Sequence, residues 1–126
     1  MSTLKLSGFG LPVAGVPGAS DVSYPQPERL ISGNPRRDTW SAVEADLAGA
    51  SRFYSGVWRS EVGHWRIAMG PTEQEVFTVL EGRCRVHGQD GQVKEAGPGQ
   101  AIHIPPGFAG SFEVLETLTK VYVITE

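Results

Sequence analysis

The stretch Glu75-Val-Phe-Thr-Val-Leu-Glu-Gly82 decides how this chain is read. It is rich in β-branched and aromatic residues that fit a pleated, half-buried surface. A period of two sets Glu75, Phe77 and Val79 on one side of a strand and Val76 and Thr78 on the other. Glu81-Gly82 then supplies a turn, and Arg83 to His87 resumes the pattern. The same alternation of short β-type runs and turn residues extends in both directions. Upstream lie Phe53 to Arg59 and His64 to Met69; downstream lie Ala101 to Ile104, Ser111 to Leu115 and Lys120 to Ile124. Asp90-Gly91, Gly97-Pro98-Gly99 and Pro105-Pro106-Gly107 mark the reversals, because Gly tolerates positive φ and Pro locks φ at a negative, turn-compatible value. So many strands need a closed or doubly layered sheet, and an all-β antiparallel sandwich or barrel is expected.

The rest of the chain sets bounds on this domain. Its 126 residues suit one core, and 40% hydrophobic with 20% charged residues is ordinary globular composition. A net charge of -3 leaves no basic excess for nucleic acid or an anionic membrane. Cys84 is the only cysteine, which excludes an intrachain disulfide and a thiolate zinc cluster and marks it as a small core residue. No basic start with an apolar run occupies Met1 to Leu11, and no apolar stretch is long enough to span a membrane, so a soluble cytoplasmic protein is expected.

Residues 1–28 read as an extended arm, with Pro12, Pro17, Pro25 and Pro27 opposing helix. Its apolar residues, among them Leu4, Leu6, Phe9 and Val16, suit it to covering a sheet edge or a neighbouring subunit, and a homodimer is expected. Residues 29–126 form the domain proper. Within it Ser41 to Leu47 is the single helical candidate, since Ser41 and Glu44 have capping-box spacing. The adjacent Arg36 and Arg37 read as a solvated pair or as partners of the arm.

Two stretches carry a family resemblance. Glu75 precedes Gly82 by the spacing of the first cupin motif's second half, and Gly99-Gln-Ala-Ile-His-Ile-Pro-Pro-Gly107 is similar to the opening of the second cupin motif. Ile31-Ser-Gly33, Arg37-Asp-Thr-Trp40, Gly56-Val-Trp58, Val79-Leu-Glu-Gly82, Ile104-Pro-Pro-Gly-Phe108 and Lys120-Val-Tyr122 resemble the small single-domain (S)-ureidoglycine aminohydrolase-like cupins. The resemblance covers roughly Arg29 to Ile124 and implies a double-stranded β-helix, the cupin jelly-roll barrel. It also implies where a metal would be held, and most of those positions are vacant. The paired histidine positions fall on Ala68 and Gly70 or on Met69 and Pro71, and the third falls on Gly110. Only Glu75 survives, and one carboxylate holds a divalent ion weakly. No metal site and no cofactor are therefore expected, manganese being the ion that the aminohydrolase relatives would use. His64, His87 and His103 lack ligand spacing and read as hydrogen-bonded strand or turn residues.

Strand parity and the resemblance together sketch a pocket. Glu75 and Phe77 face inward, Arg66 joins them when counted back from Ala68 and Gly70, and Phe112 follows from Gly110. The resemblance favours Lys120 and Tyr122 as the inner face of the last strand. Lys120, with Arg66, would set a fixed cation beside Glu75, and Trp58 and Phe112 would form apolar walls. The expected ligand is a small anionic or amide-bearing metabolite. Two alternatives stand beside this reading: an aminohydrolase-like enzyme with Glu75 as base and Lys120 or Tyr122 as acid, and a structural subunit with a vestigial pocket. The tryptophans otherwise read as packing residues.

Overall fold

The computed structural model describes residues 18–126, so Leu4 to Val16 of the expected arm lie outside the described residues. In chain order the elements are β1 (Asp21–Ser23), a 3-10 turn (Pro27–Arg29), β2 (Leu30–Ser32), β3 (Arg37–Asp46), β4 (Arg52–Ser60), β5 (Gly63–Ala68), β6 (Gln74–Gly88), β7 (Val93–Ala96), β8 (Ala101–Ile104) and β9 (Ala109–Thr125). Every strand pairing is antiparallel. No helix among the described residues is long and apolar enough to cross a membrane.

The long strands β6 and β9 build the barrel because each bends and serves both of its walls. The second half of β9 lies between β4 and the first half of β6. Its first half lies between β5 and the second half of β6. β8 and β7 extend β6 on its other edge. Sequence patterning splits each long strand in two, at Glu81-Gly82 and before Lys120. The ladder instead runs through these points by register shifts between Val79 and Cys84, a bulged bend that changes facing parity without ending the sheet. Gly82 makes the bend available: its φ is +85°, and a Cβ there would strike the backbone carbonyl of Thr117. The all-β jelly-roll expectation therefore holds, with β6 and β9 each a single long strand where two short ones are expected.

The core is one cluster between the walls. Phe77, Val79, Cys84, Val86, Ile104, Phe112, Val114 and Leu118 are buried within it. Cys84 is fully buried, and that burial pushes its thiol up to about 11. Its thiol is expected to resist iodoacetamide at mildly alkaline pH until the protein is denatured, which mass spectrometry of native and unfolded samples would test. The unfolded thiol ionises from about 9, so fold stability is expected to fall as pH rises from there toward about 11. Equal alkylation of the folded and unfolded samples would contradict the packing described.

One element differs in kind from its sequence reading. Ser41 to Asp46 belongs to strand β3, where the helix is expected, and pairs with β4 from Arg37↔Ser60 to Asp46↔Arg52 around a bulge at Ser41/Val43. A seven-residue helix gains little from a capping box alone, whereas the partner strand β4 pairs with this segment almost along its whole length. Upstream, β1 lies along the outer edge of β3 through Asp21↔Thr39 to Ser23↔Arg37, so the described end of the arm covers a sheet edge.

Candidate functional site

A cleft of about 350 Å³ opens between the walls, lined by residues from β3, β4, β5, β6, β8 and β9. Its polar centre is Lys120. Trp58 on β4 and Val79 on β6 are the register partners of Lys120, so the lysine leaves the middle of the sheet toward the interior. Its ammonium donates to Glu75 Oε2 at 2.7 Å, and the two side chains are 7% and 12% exposed. The same nitrogen stands 4.5 Å from the Trp58 ring centroid, 4.3 Å from that of Phe77 and 4.9 Å from that of Phe112. An ammonium taken this far from water needs compensation, and here a carboxylate and three aromatic faces provide it. The rings brace one another: Trp58 meets Phe112 edge-on at 5.8 Å, and Phe77 packs on Phe112 at 5.7 Å.

Glu75, Phe77, Phe112, Trp58, Lys120 and Tyr122 thus come together on or behind the cleft wall. Tyr122 is buried two residues along β9 from Lys120. Burial raises its phenol above the ordinary tyrosine value, and the nearby Ser41 hydroxyl only partly offsets this. Arg66 is a correction: it is exposed and stands on the opposite face of β5, while Trp65, Ile67 and Met69 line the cleft. Counting from Ala68 and Gly70 was one residue out of phase, and a one-residue slip sends every side chain to the other face.

A different arginine reaches the cleft. Arg37, expected at the surface, lines the mouth from β3, with its guanidinium carbon 5.3 Å from the Trp65 ring centroid. Its Nε donates to Ser23 Oγ of β1 at 3.2 Å, so it does touch the arm, but through a hydroxyl. Partial burial lowers its pKa, and among the described residues no carboxylate forms an ion pair with it. Arg36 behaves as the sequence suggests, paired with Asp38 at 3.0 Å on the surface. The signal for Arg37 was the alternation Arg37-Asp-Thr-Trp40, which sets Arg37 and Thr39 on one face once the segment is a strand.

The family model of the EutQ-like cupin domain matches residues 47–122, more than half of the chain. The chain belongs to the EutQ-like cupin domain family. No curated protein matches this EutQ-like cupin significantly. Among solved structures it is similar to a DUF861-family protein of unknown function from Pseudomonas syringae pv. tomato, with TM-score 0.73 and 22% identity over 90% of this chain and 46% of that one. The chain therefore spans about half the length of the Pseudomonas protein. The EutQ protein of Clostridium difficile aligns with TM-score 0.66 and 20% identity over 95% of this chain and 89% of its own. A putative ethanolamine utilization protein Q from Salmonella typhimurium gives 0.57 and 14% over 85% and 97%. At these identities the likeness is one of fold.

The cupin fold implies a divalent ion near the barrel centre, a role that the donor set of this EutQ-like cupin must meet. Among the described residues Glu75 is the one carboxylate lining the cleft, and it is paired with an ammonium. The neighbouring positions carry Trp65, Ile67, Met69 and Phe112. A dication beside a fixed lysine charge is repelled, and one oxygen ligand selects no geometry. These residues do not fit a metal at that place.

Proposed function

We propose that the barrel is a receptor for a small carboxylate-bearing metabolite, with Arg37 at the mouth binding the carboxylate and the Lys120–Glu75 pair reading a polar group at the floor. The observation that carries this reading is a half-buried guanidinium, without an acidic partner among the described residues, on the wall of an aromatic cleft. Arginine presents a planar fork that matches a carboxylate, and the surrounding rings exclude water from the contact. Trp58 and Trp65, 6.1 Å apart, offer apolar surface between the two cationic groups.

The reading favours binding over turnover. A ureidoglycine aminohydrolase-like reaction would use Glu75 as base, yet the Glu75 carboxylate is held by the Lys120 ammonium at 2.7 Å. Tyr122 as acid would be tuned the wrong way, because burial moves its phenol further from neutrality. The single cysteine accords with action in a reducing cytoplasm.

A thermal-shift and calorimetric screen of small mono- and dicarboxylates and ureides tests the proposal. A carboxylate present at a hundred times its dissociation constant is expected to raise Tm by about 10 °C. Arg37→Ala is expected to weaken that binding about 10- to 100-fold at little cost to folding. Ammonia release from ureides would favour the hydrolytic alternative. Stabilisation by no compound in the screen would favour a structural subunit.

A further inference from the structure

On the other side of the sheet from the cleft, three strands bring two imidazoles and a carboxylate to one spot. His64 on β5 faces Glu113 on β9 directly in register, and His87 on β6 faces Ser111 two residues away on the same central strand. Each alternates with a residue of the interior, His64 with Trp65 and Glu113 with Phe112, both of which line the cleft. The cluster therefore lies outside the barrel, separated from Glu75 by the thickness of the sheet.

One potential ligand atom from each of His64, His87 and Glu113 lies within 4.8 Å of the others. The two rings are 5.0 Å apart between centroids and tilted by 36°. His87 Nε2 stands 2.9 Å from Glu113 Oε1, and His64 Nε2 stands 2.7 Å from Ser111 Oγ. His87 and Glu113 are about a quarter to a third exposed, so the spot is shielded yet open to an ion from solution. Ser111 is buried behind them.

We infer that His64, His87 and Glu113 form a binding site for a divalent transition metal of the zinc class. Two neutral imidazole nitrogens and one carboxylate oxygen make a three-ligand set in which the fourth, tetrahedral position is left for water. Loading replaces the His87–Glu113 hydrogen bond with two bonds to the ion, and any proton held between them is released. The β9 backbone holds Ser111 and Glu113 two residues apart on one face, so the Ser111 hydroxyl can orient the His64 ring from below. Arg66 and Arg85 flank the site as opposing charges; Glu95, 2.8 Å from Arg85, offsets it only in part because the same carboxylate also pairs with Arg83 at 2.7 Å. Nothing in the local spacing announces the site, since its members are brought together only by the pairing of β5, β6 and β9.

The test uses the full chain without a histidine tag, stripped with chelator and titrated with zinc chloride by calorimetry. Cobalt(II) provides a spectroscopic readout of coordination. One zinc per chain and the intense visible absorption of four-coordinate cobalt are expected. His64→Gln, His87→Gln and Glu113→Gln are each expected to weaken zinc at least about tenfold. His103→Asn, away from the cluster, is expected to leave zinc affinity unchanged. Near-ultraviolet dichroism of the metal-free variants confirms folding. Zinc affinity unchanged in the His64→Gln/His87→Gln double variant, or lost in His103→Asn, would overturn the assignment.

Discussion

Lys120→Ala is expected to cost about 3 kcal/mol of folding free energy, read as a lower urea midpoint at unchanged slope. The variant leaves the Glu75 carboxylate without its cation, and it removes the side chain whose ammonium stands against Trp58, Phe77 and Phe112. Breaking one side of a buried pair strands the other charge, which is why the cost exceeds the net worth of the pair. The cleft beside Glu75 admits water, so the effect belongs at the lower end of the range for buried pairs. The double variant Glu75→Gln/Lys120→Met removes both charges and keeps the volume; its stability is expected to lie within about 1 kcal/mol of the parent. Both proteins should lose the response to carboxylates if the pair belongs to a binding site. A Lys120→Ala protein as stable as the parent would mean that the ammonium is better solvated than its surroundings indicate.

The contrast between those two variants bears on why the pair exists. A barrel of this size could fill the same place with Leu or Met and fold at least as well. Keeping an ammonium against three rings and a carboxylate makes sense where a polar group must be presented to something entering the cleft. Arg37 strengthens that view, because it sets a second cation at the mouth, over Trp65, with no acidic partner among the described residues.

Much of this interior is legible in the sequence. Period-two patterning placed Glu75 and Phe77 correctly because β6 is regular over its first half, and the motif spacing tied that strand to Pro105 and Gly107. The reading failed where the cue was a count across an irregular connection. Gly70-Pro-Thr-Glu73 between β5 and β6 can be spanned in two phases, and the choice that put Arg66 inside was wrong; the apolar Trp65 and Ile67 already favoured the other. Arg37 was hidden by its neighbour, since two consecutive arginines look like solvated charge until a strand sends them to opposite faces. Ser41 and Glu44 satisfied a local capping rule, and the partner strand Arg52–Ser60 overrode it. The His64, His87 and Glu113 cluster was beyond any local rule, because it depends on the register of β9 with two different neighbours.

Gly110→His is expected to cost more than about 3 kcal/mol, enough to deplete the folded protein from soluble extracts. The family resemblance reserves this position for the third metal-binding histidine, so the substitution is the natural first step in restoring a cupin metal site. In this barrel Gly110 sits in the central strand, paired with Ile67 on one side and Gly88 on the other. A Cβ there would run into the backbone carbonyl of His87 and come within 3.0 Å of the Phe108 ring. The carbonyl belongs to the ladder that joins β6 to β9 and cannot retreat without breaking it. Even Gly110→Ala should therefore be costly, at about 2 kcal/mol or more, whereas Gly91→Ala, at a turn with φ +86° and open space around it, should lose only about 1 kcal/mol. Urea denaturation of the three variants would check the order. If Gly110→His proved as stable as the parent, the strands would have to be able to separate locally. If the order holds, the missing histidine reflects strand spacing as well as a changed side chain, and point substitutions alone would not rebuild a metal site inside this barrel.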